Sequence, residues 1–60
     1  MAESMKASML AIGQCVMIAG VPMQFYYWQY DVPVFTHNRD GVQVNYINHE
    51  FNMETIFQIQ

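Results

Sequence analysis

The chain has 60 residues, of which 53% are apolar and 12% are charged, and its formal net charge is −3. A chain of this length forms one domain, here expected over residues 1–60, and it cannot bury all of this apolar surface by itself. Lys6 and Arg39 are too few basic residues for a nucleic-acid surface, and the single cysteine, Cys15, excludes an intrachain disulfide.

Residues 3–20 have an apolar spacing that is typical of an amphipathic helix. One face of this helix would carry six apolar side chains, those of Met1, Ala2, Met5, Met9, Ile12 and Val16. Gly20 suits the left-handed position that ends many helices, and Pro22 cannot continue one. The pattern therefore predicts an N-terminal helix over about residues 3–20.

From residue 23 to the C-terminus, β-branched and aromatic residues dominate, which predicts antiparallel strands. The first strand is expected over 23–30, with Phe25 and Tyr27 on one face and Tyr26 and Trp28 on the other. The last is expected over 55–60, and a short helix over 50–56 is the alternative there. The predicted fold class is α+β, with one N-terminal helix packed on a three- to four-stranded antiparallel β-meander over about residues 23–60.

Between these strands, the sequence Asn38-Arg39-Asp40-Gly41 predicts a hairpin closed by a type I turn with a left-handed glycine. If His37 pairs with Val42, one hairpin face holds four residues that we expect to be buried, Phe35, Val42, Val44 and Tyr46. The opposite face then holds four residues suited to water or to a wet interface, Val34, Thr36, Gln43 and Asn45.

Residues 7–23 contain no charged residue and precede a cluster of aromatic residues, so they allow an alternative as a membrane helix. In that alternative the chain is a short single-pass subunit of a larger complex, with its N-terminus in the cytoplasm and a β-rich tail docked on partners. The polar Gln14 and the amphipathic first half of the segment favour the packed helix instead. The favoured interpretation therefore places the protein in the cytoplasm.

Cys15 together with His37 or His49 would supply the parts of a thiol enzyme. Cys15 stands in an apolar run, where a free cysteine is usually a small buried hydrophobe. His49-Glu50 lacks the second histidine of a zinc-binding helix motif, because Met53 stands in that place. We expect no catalytic residue, no cofactor and no metal, although a metal bound at a subunit interface by His37, His49 and Glu50 stays open.

Methionine, tyrosine and tryptophan side chains are common at protein interfaces. The candidate partner-binding residues are Tyr26, Trp28, Tyr30, Met17 and Met23. We therefore expect a small, non-catalytic protein-binding module, an accessory, inhibitory or assembly factor, that self-associates as a dimer or a larger homo-oligomer. Small phage-encoded or regulatory proteins fit this description, whereas the composition does not identify the partner.

Overall fold

The computed structural model describes residues 3–59. Met1 and Ala2 of the predicted apolar stripe and Gln60 of the predicted last strand lie outside these described residues. One antiparallel sheet contains all the strands that the structure describes. They are β1 (Glu3–Lys6), β2 (Cys15–Ile18), β3 (Val21–Gln29), β4 (Val32–Arg39), β5 (Val42–Ile47) and β6 (Ile56–Ile59). A single turn of 3-10 helix, Ala7–Met9, follows β1.

The strand order across the sheet is β1-β6-β2-β3-β4-β5. Strands β2 to β5 form a meander in which each strand pairs with the next, as the sequence predicts for residues 23 onwards. The chain then returns so that β6 pairs with β2 on one side and with β1 on the other. The edges of the described sheet are therefore β1 and β5.

The predicted N-terminal helix over residues 3–20 is wrong, because this segment forms β1, the 3-10 turn and β2. The fold of the described residues is therefore a nearly all-β sheet and not an α+β arrangement. Two side chains of the predicted apolar stripe, Met9 and Ile12, are 71% and 79% exposed. The buried side chains of this segment are instead Ala7, Leu10, Val16 and Ile18.

The backbone of this segment explains why strands form here. Gly13 has φ = 88°, and Ala19 and Gly20 have φ = 52° and 78°, values that interrupt a right-handed helix. Ala19 and Gly20 form the two-residue loop between β2 and β3, since Ile18 pairs with Val21. Positive φ at both loop positions is the signature of a type I′ hairpin turn. The glycine that suggested a helix end therefore closes a hairpin.

The predicted hairpin at residues 38–41 is present, with a different register. Arg39 pairs with Val42 across a two-residue loop, and both Asp40 and Gly41 have positive φ. His37 consequently pairs with Val44, two residues beyond the predicted partner. A shift of two residues keeps every side chain on its face. The predicted division of this hairpin into two faces therefore survives, but the predicted burial is partly wrong. Val42 is 62% exposed and Val34 only 2% exposed, whereas Phe35 is buried as expected.

A β-bulge in β3 changes the predicted faces of the aromatic strand. Phe25 pairs with Phe35 and Tyr27 pairs with Val34, so Tyr26 is the extra residue between them. The insertion brings Phe25 and Trp28, which simple alternation places on opposite faces, to within 5.5 Å of each other, centroid to centroid. The half-buried Trp28 packs against the core.

The core lies on one face of the curved sheet, which we call the core face. It consists of Ala7, Leu10, Val16, Ile18, Met23, Phe25, Phe35 and Phe57. Phe51 adds an aromatic ring from the loop between β5 and β6, with its centroid 5.0 Å from that of Phe57. The backbone N–H groups of Glu50 and Glu54 donate to the side-chain oxygens of Asn48 and Asn52 in this loop. The alternative helix over residues 50–56 is therefore wrong.

No helix among residues 3–59 has the length and apolar character needed to cross a bilayer. The segment 7–23 of the membrane alternative consists of the 3-10 turn, a loop, β2 and the beginning of β3.

Candidate binding site on the outer face

The face of the sheet opposite the core, which we call the outer face, carries a row of polar side chains across four neighbouring strands. Strand register aligns Cys15 of β2 with Gln24 of β3, Gln24 with Thr36 of β4, and Thr36 with Asn45 of β5. Directly opposed residues of an antiparallel pair share a face, so this row runs across the sheet. The neighbouring pair Asn38 and Gln43 continues the same face toward the hairpin tip.

Two adjoining depressions form a shallow cleft over this row, which we call the outer cleft. One has a volume of about 340 Å³ and the other of about 280 Å³. Both are lined by Gln24, Thr36, His37 and Asn38. The larger depression extends to Ile12, Gly13, Phe25, Tyr26 and Gln43, and the smaller one to Cys15, Pro22 and Met23.

The side chain of Thr36 forms part of the floor of the outer cleft, at the centre of the sheet. Its hydroxyl oxygen, Oγ1, is buried and has no hydrogen-bond partner among the described residues. A buried hydroxyl without a partner costs about 1–3 kcal/mol of stability. The protein therefore buries an unfavourable polar group directly beneath the outer cleft.

Besides Thr36, the lining of the outer cleft contains the amide side chains of Gln24, Asn38 and Gln43 and the polar residues Cys15, Tyr26 and His37. The side chains of Gln24 and Gln43 are exposed, whereas Asn38 Oδ1 already accepts a hydrogen bond of 2.9 Å from the backbone N–H of Gly41. Its lining includes no carboxylate, lysine or arginine. Amides and a hydroxyl both donate and accept hydrogen bonds, which matches the groups of a polypeptide backbone better than those of an ion.

Two tyrosine rings stand beside the outer cleft at the β3 bulge, and we call Tyr26 and Tyr27 the tyrosine rim. Each is 43% exposed, and their ring centroids lie 5.1 Å apart in an edge-to-face arrangement. The exposed Ile12 lines the same end of the cleft as Tyr26. Tyrosines that expose both ring and hydroxyl are frequent anchors of protein interfaces.

The five predicted partner-binding residues have very different surroundings in the structure. Tyr26 belongs to the tyrosine rim, and Tyr30 is 94% exposed in the loop between β3 and β4. Trp28 packs against the core, and Met23 is 5% exposed within it. Met17 is half-buried beside a separate cleft of about 310 Å³ between β2 and β6. Of these five residues, Tyr26 and the buried Met23 line the outer cleft, whereas Tyr30 is prominent at a hairpin tip.

Tyr30 has an unusual backbone conformation for a large side chain, with φ = 58°. A non-glycine residue in the left-handed region costs roughly 1–2 kcal/mol, and such residues concentrate at functional sites. Glycine would close this two-residue loop at lower cost. The loop therefore presents an exposed aromatic side chain at the expense of backbone energy.

Cys15 and His37 lie on different strands of the sheet. Strand β3 separates β2 from β4, so the two backbones are roughly 9–10 Å apart. A cysteine nucleophile needs thiol and imidazole side by side, and this separation of the two strands does not favour such a pair.

Within residues 3–59, no three side chains of histidine, cysteine, aspartate or glutamate lie close enough together to hold a metal ion. The interface metal site of His37, His49 and Glu50 is not addressed by this finding and stays a prediction.

Neutral strand residues such as Gln24 and Thr36 do not form a recognisable sequence motif. Only part of the outer cleft could therefore be predicted from the sequence. The predicted wet face of the hairpin included Thr36 and Gln43, whereas the contribution of β3 depends on its register with β4. Comparison of the chain with known protein families, with curated proteins and with solved structures found no match.

Proposed function

We propose that this chain is a small non-catalytic module that binds another protein through the outer cleft and the tyrosine rim, and that self-associates. The observation that carries the proposal is the pair of tyrosine rings, each 43% exposed, beside a cleft lined by amide side chains. Thr36 Oγ1 lies beneath the surface of this cleft, so its missing hydrogen bond costs stability but is not within reach of a partner.

The geometry of the outer cleft favours an extended segment of polypeptide as the bound group. The cleft is shallow, and its floor is a β-sheet whose hydroxyl and amide side chains suit peptide N–H and C=O groups. Tyr26 and Ile12 at one end supply apolar area for a side chain of the partner. Binding by accessory, inhibitory or assembly factors requires no chemistry beyond these contacts.

The absence of catalysis in this proposal is supported by the positions of the reactive side chains. Strand β3 separates Cys15 on β2 from His37 on β4. His49 belongs to the loop after β5, and its side chain is exposed. The exposed Tyr30 is a second contact for a partner large enough to reach the hairpin tip.

The test is affinity capture from the source cell, followed by titration of each recovered protein against purified variants. Tyr26→Ser should weaken the binding of the true partner by about ten- to thirtyfold, as the loss of an aromatic anchor does. Ile56→Ser is the matched control, because Ile56 is a 56% exposed apolar residue of β6 away from the outer cleft.

A partner that binds the wild type and Ile56→Ser equally, and Tyr26→Ser weakly, supports the proposal. Equal binding by all three proteins, or capture of no protein that binds the purified chain, contradicts it.

A further inference from the structure

The free edge of the sheet at β5 is unusually open to pairing with another strand. Among the described residues no strand pairs with β5 on the side away from β4. Its sequence, Val-Gln-Val-Asn-Tyr-Ile, contains no charged residue and no proline, and three of its four apolar side chains are β-branched. Proteins usually protect an edge with lysine, proline or a bulge, because unpaired N–H and C=O groups recruit other strands.

The opposite edge, β1, is shorter, is charged and has no β-branched residue. It has four residues, of which Glu3 and Lys6 are charged, and Lys6 lies 3.8 Å from Glu54. Charged side chains at a short edge oppose strand addition. Pairing at the edges is therefore favoured at β5 alone.

The hairpin geometry identifies the backbone groups of β5 that face outward. In a two-residue hairpin the residues that flank the loop, here Arg39 and Val42, form a hydrogen-bonded pair. Hydrogen-bonded and non-hydrogen-bonded pairs then alternate, so Val42, Val44 and Tyr46 bond to β4. The N–H and C=O groups of Gln43, Asn45 and Ile47 point away from the sheet.

From this geometry we infer that β5 pairs antiparallel with β5 of a second copy, in a two-fold symmetric dimer centred on Val44. This inference rests on the self-association in the proposed function and names its surface. In this register Gln43 exchanges both backbone hydrogen bonds with Asn45 of the second copy. The two sheets join into one continuous sheet.

The side chains of β5 favour this register and this occupant. Val44 faces Val44 of the second copy, and Val42 faces Tyr46, so apolar residues meet on the core face. Val42 is 62% exposed in the single chain, and the second copy covers it. On the outer face the amides of Gln43 and Asn45 meet each other. The alternation of apolar and amide residues reads the same in both directions about Val44, as pairing of the strand with its own copy requires.

A dimer through this edge leaves the outer cleft available. The cleft is lined by residues of β3 and β4 and by Gln43 at its border with β5. Pairing in the plane of the sheet adds a strand beside β5 and does not cover the face. Self-association and partner binding are therefore separable by mutation.

Disulfide trapping tests the register directly in the full chain, in a Cys15→Ala background that removes the native thiol. Val44→Cys places two thiols opposite each other in a non-hydrogen-bonded pair, with Cα atoms about 4.5 Å apart, within the range of a disulfide. Asn45→Cys is the matched control, because this residue faces position 43 of the second copy. After mild oxidation we expect a covalent dimer from Val44→Cys and little from Asn45→Cys.

Light scattering on a sizing column measures the same contact without cross-linking. Val42→Lys introduces a charge at the edge and should raise the dissociation constant of the dimer by about tenfold or more. Ile56→Lys, which adds the same charge to a similarly exposed apolar side chain on β6, should leave the constant unchanged. Circular dichroism of both variants confirms that each is folded.

Several outcomes would overturn the inference, and they can be told apart. Efficient cross-linking of Asn45→Cys but not Val44→Cys overturns the register. A wild-type dimer that Val42→Lys leaves intact, with no cross-link at either position, excludes β5 as the contact but keeps the self-association. A wild-type chain that is monomeric up to high micromolar concentration removes the self-association itself, whereas partner binding at the outer cleft is decided by the separate Tyr26→Ser titration.

Discussion

On the core face of β4, the ring of Phe35 lies 5.9 Å from that of Phe25 and 5.0 Å from that of Phe57, and the side chain is fully buried. On the outer face the next residue, Thr36, buries a hydroxyl that has no partner among the described residues. Two adjacent residues of β4 therefore differ in what they contribute. Phe35 makes apolar contacts that stabilise the fold, whereas Thr36 leaves a polar group without a hydrogen bond in the described part of the chain. Such an unsatisfied group costs stability, because its lost hydration is not replaced by a hydrogen bond within the protein.

The largest effect that this comparison predicts is at the core face. Phe35→Ala should lower the free energy of unfolding by about 3–5 kcal/mol, because it removes the central ring of the aromatic cluster. A 60-residue domain has little more stability than this, so the variant should lack a cooperative urea transition. Gln43→Ala on the outer face is the control and should change the unfolding free energy by less than about 0.5 kcal/mol. A cooperative transition near that of the wild type in Phe35→Ala would refute the assignment of the core.

A smaller effect, of opposite sign, is expected in the loop between β3 and β4. Tyr30→Gly should raise the free energy of unfolding by about 0.5–1 kcal/mol, because glycine adopts φ near 58° without the cost that Tyr30 bears. Asp31→Gly is the control in the same loop, and it should destabilise the protein because Asp31 does not have a positive φ. Thermal unfolding of the two variants gives the comparison. A loss of stability in Tyr30→Gly would show that the loop conformation is not strained.

The smallest effect is expected at the ion pair between Lys6 and Glu54. The two charged groups are 3.8 Å apart, and their side chains are 54% and 74% exposed, so solvent screens the attraction. Lys6→Gln should change the free energy of unfolding by less than about 0.5 kcal/mol in low salt, and by less still in high salt. The backbone N–H groups of Ala7 and Ser8 donate to the carbonyl groups of Thr55 and Met53, so we expect these bonds to hold the end of β1 in place without the ion pair. A change of more than about 1 kcal/mol in Lys6→Gln would contradict this expectation.

The parts of the fold that local sequence determines were predictable. Asp40-Gly41 supports the positive φ values that a two-residue hairpin needs, and the strand signals of β3 to β6 come from runs of β-branched and aromatic residues. The register of the hairpin was not predictable from the sequence. Turns of two types fit Asn38-Arg39-Asp40-Gly41, and the strand pairings that they produce differ by a shift of two residues.

The N-terminal segment shows why the helix prediction failed. Its apolar residues fit a period of 3.6, but Val16 and Ile18 also fit the alternation of a strand, and both are buried in β2. The meander leaves β2 with a free side, which β6 covers by returning from the far end of the chain. That pairing joins residues more than forty positions apart, so it cannot be predicted from local secondary-structure propensity.

The candidate site was predictable only for residues whose face follows from alternation along a single strand. Alternation along the hairpin identified Thr36 and Gln43 as residues of a wet face. The bulge at Tyr26 is invisible in the sequence, and it moves Trp28 from the predicted interface to the core.

The central structural claim, that the sheet beneath the outer cleft buries an unsatisfied hydroxyl at a cost in stability, is tested most directly by the free energy of unfolding of Thr36→Val in urea. Valine has nearly the same shape as threonine, lacks the hydroxyl and suits a strand. We predict that Thr36→Val is more stable than the wild type by about 1 kcal/mol, with an unchanged dependence on urea concentration. A variant that is less stable than the wild type by a similar amount would show that the Thr36 hydroxyl is satisfied in the free protein, and would contradict the account.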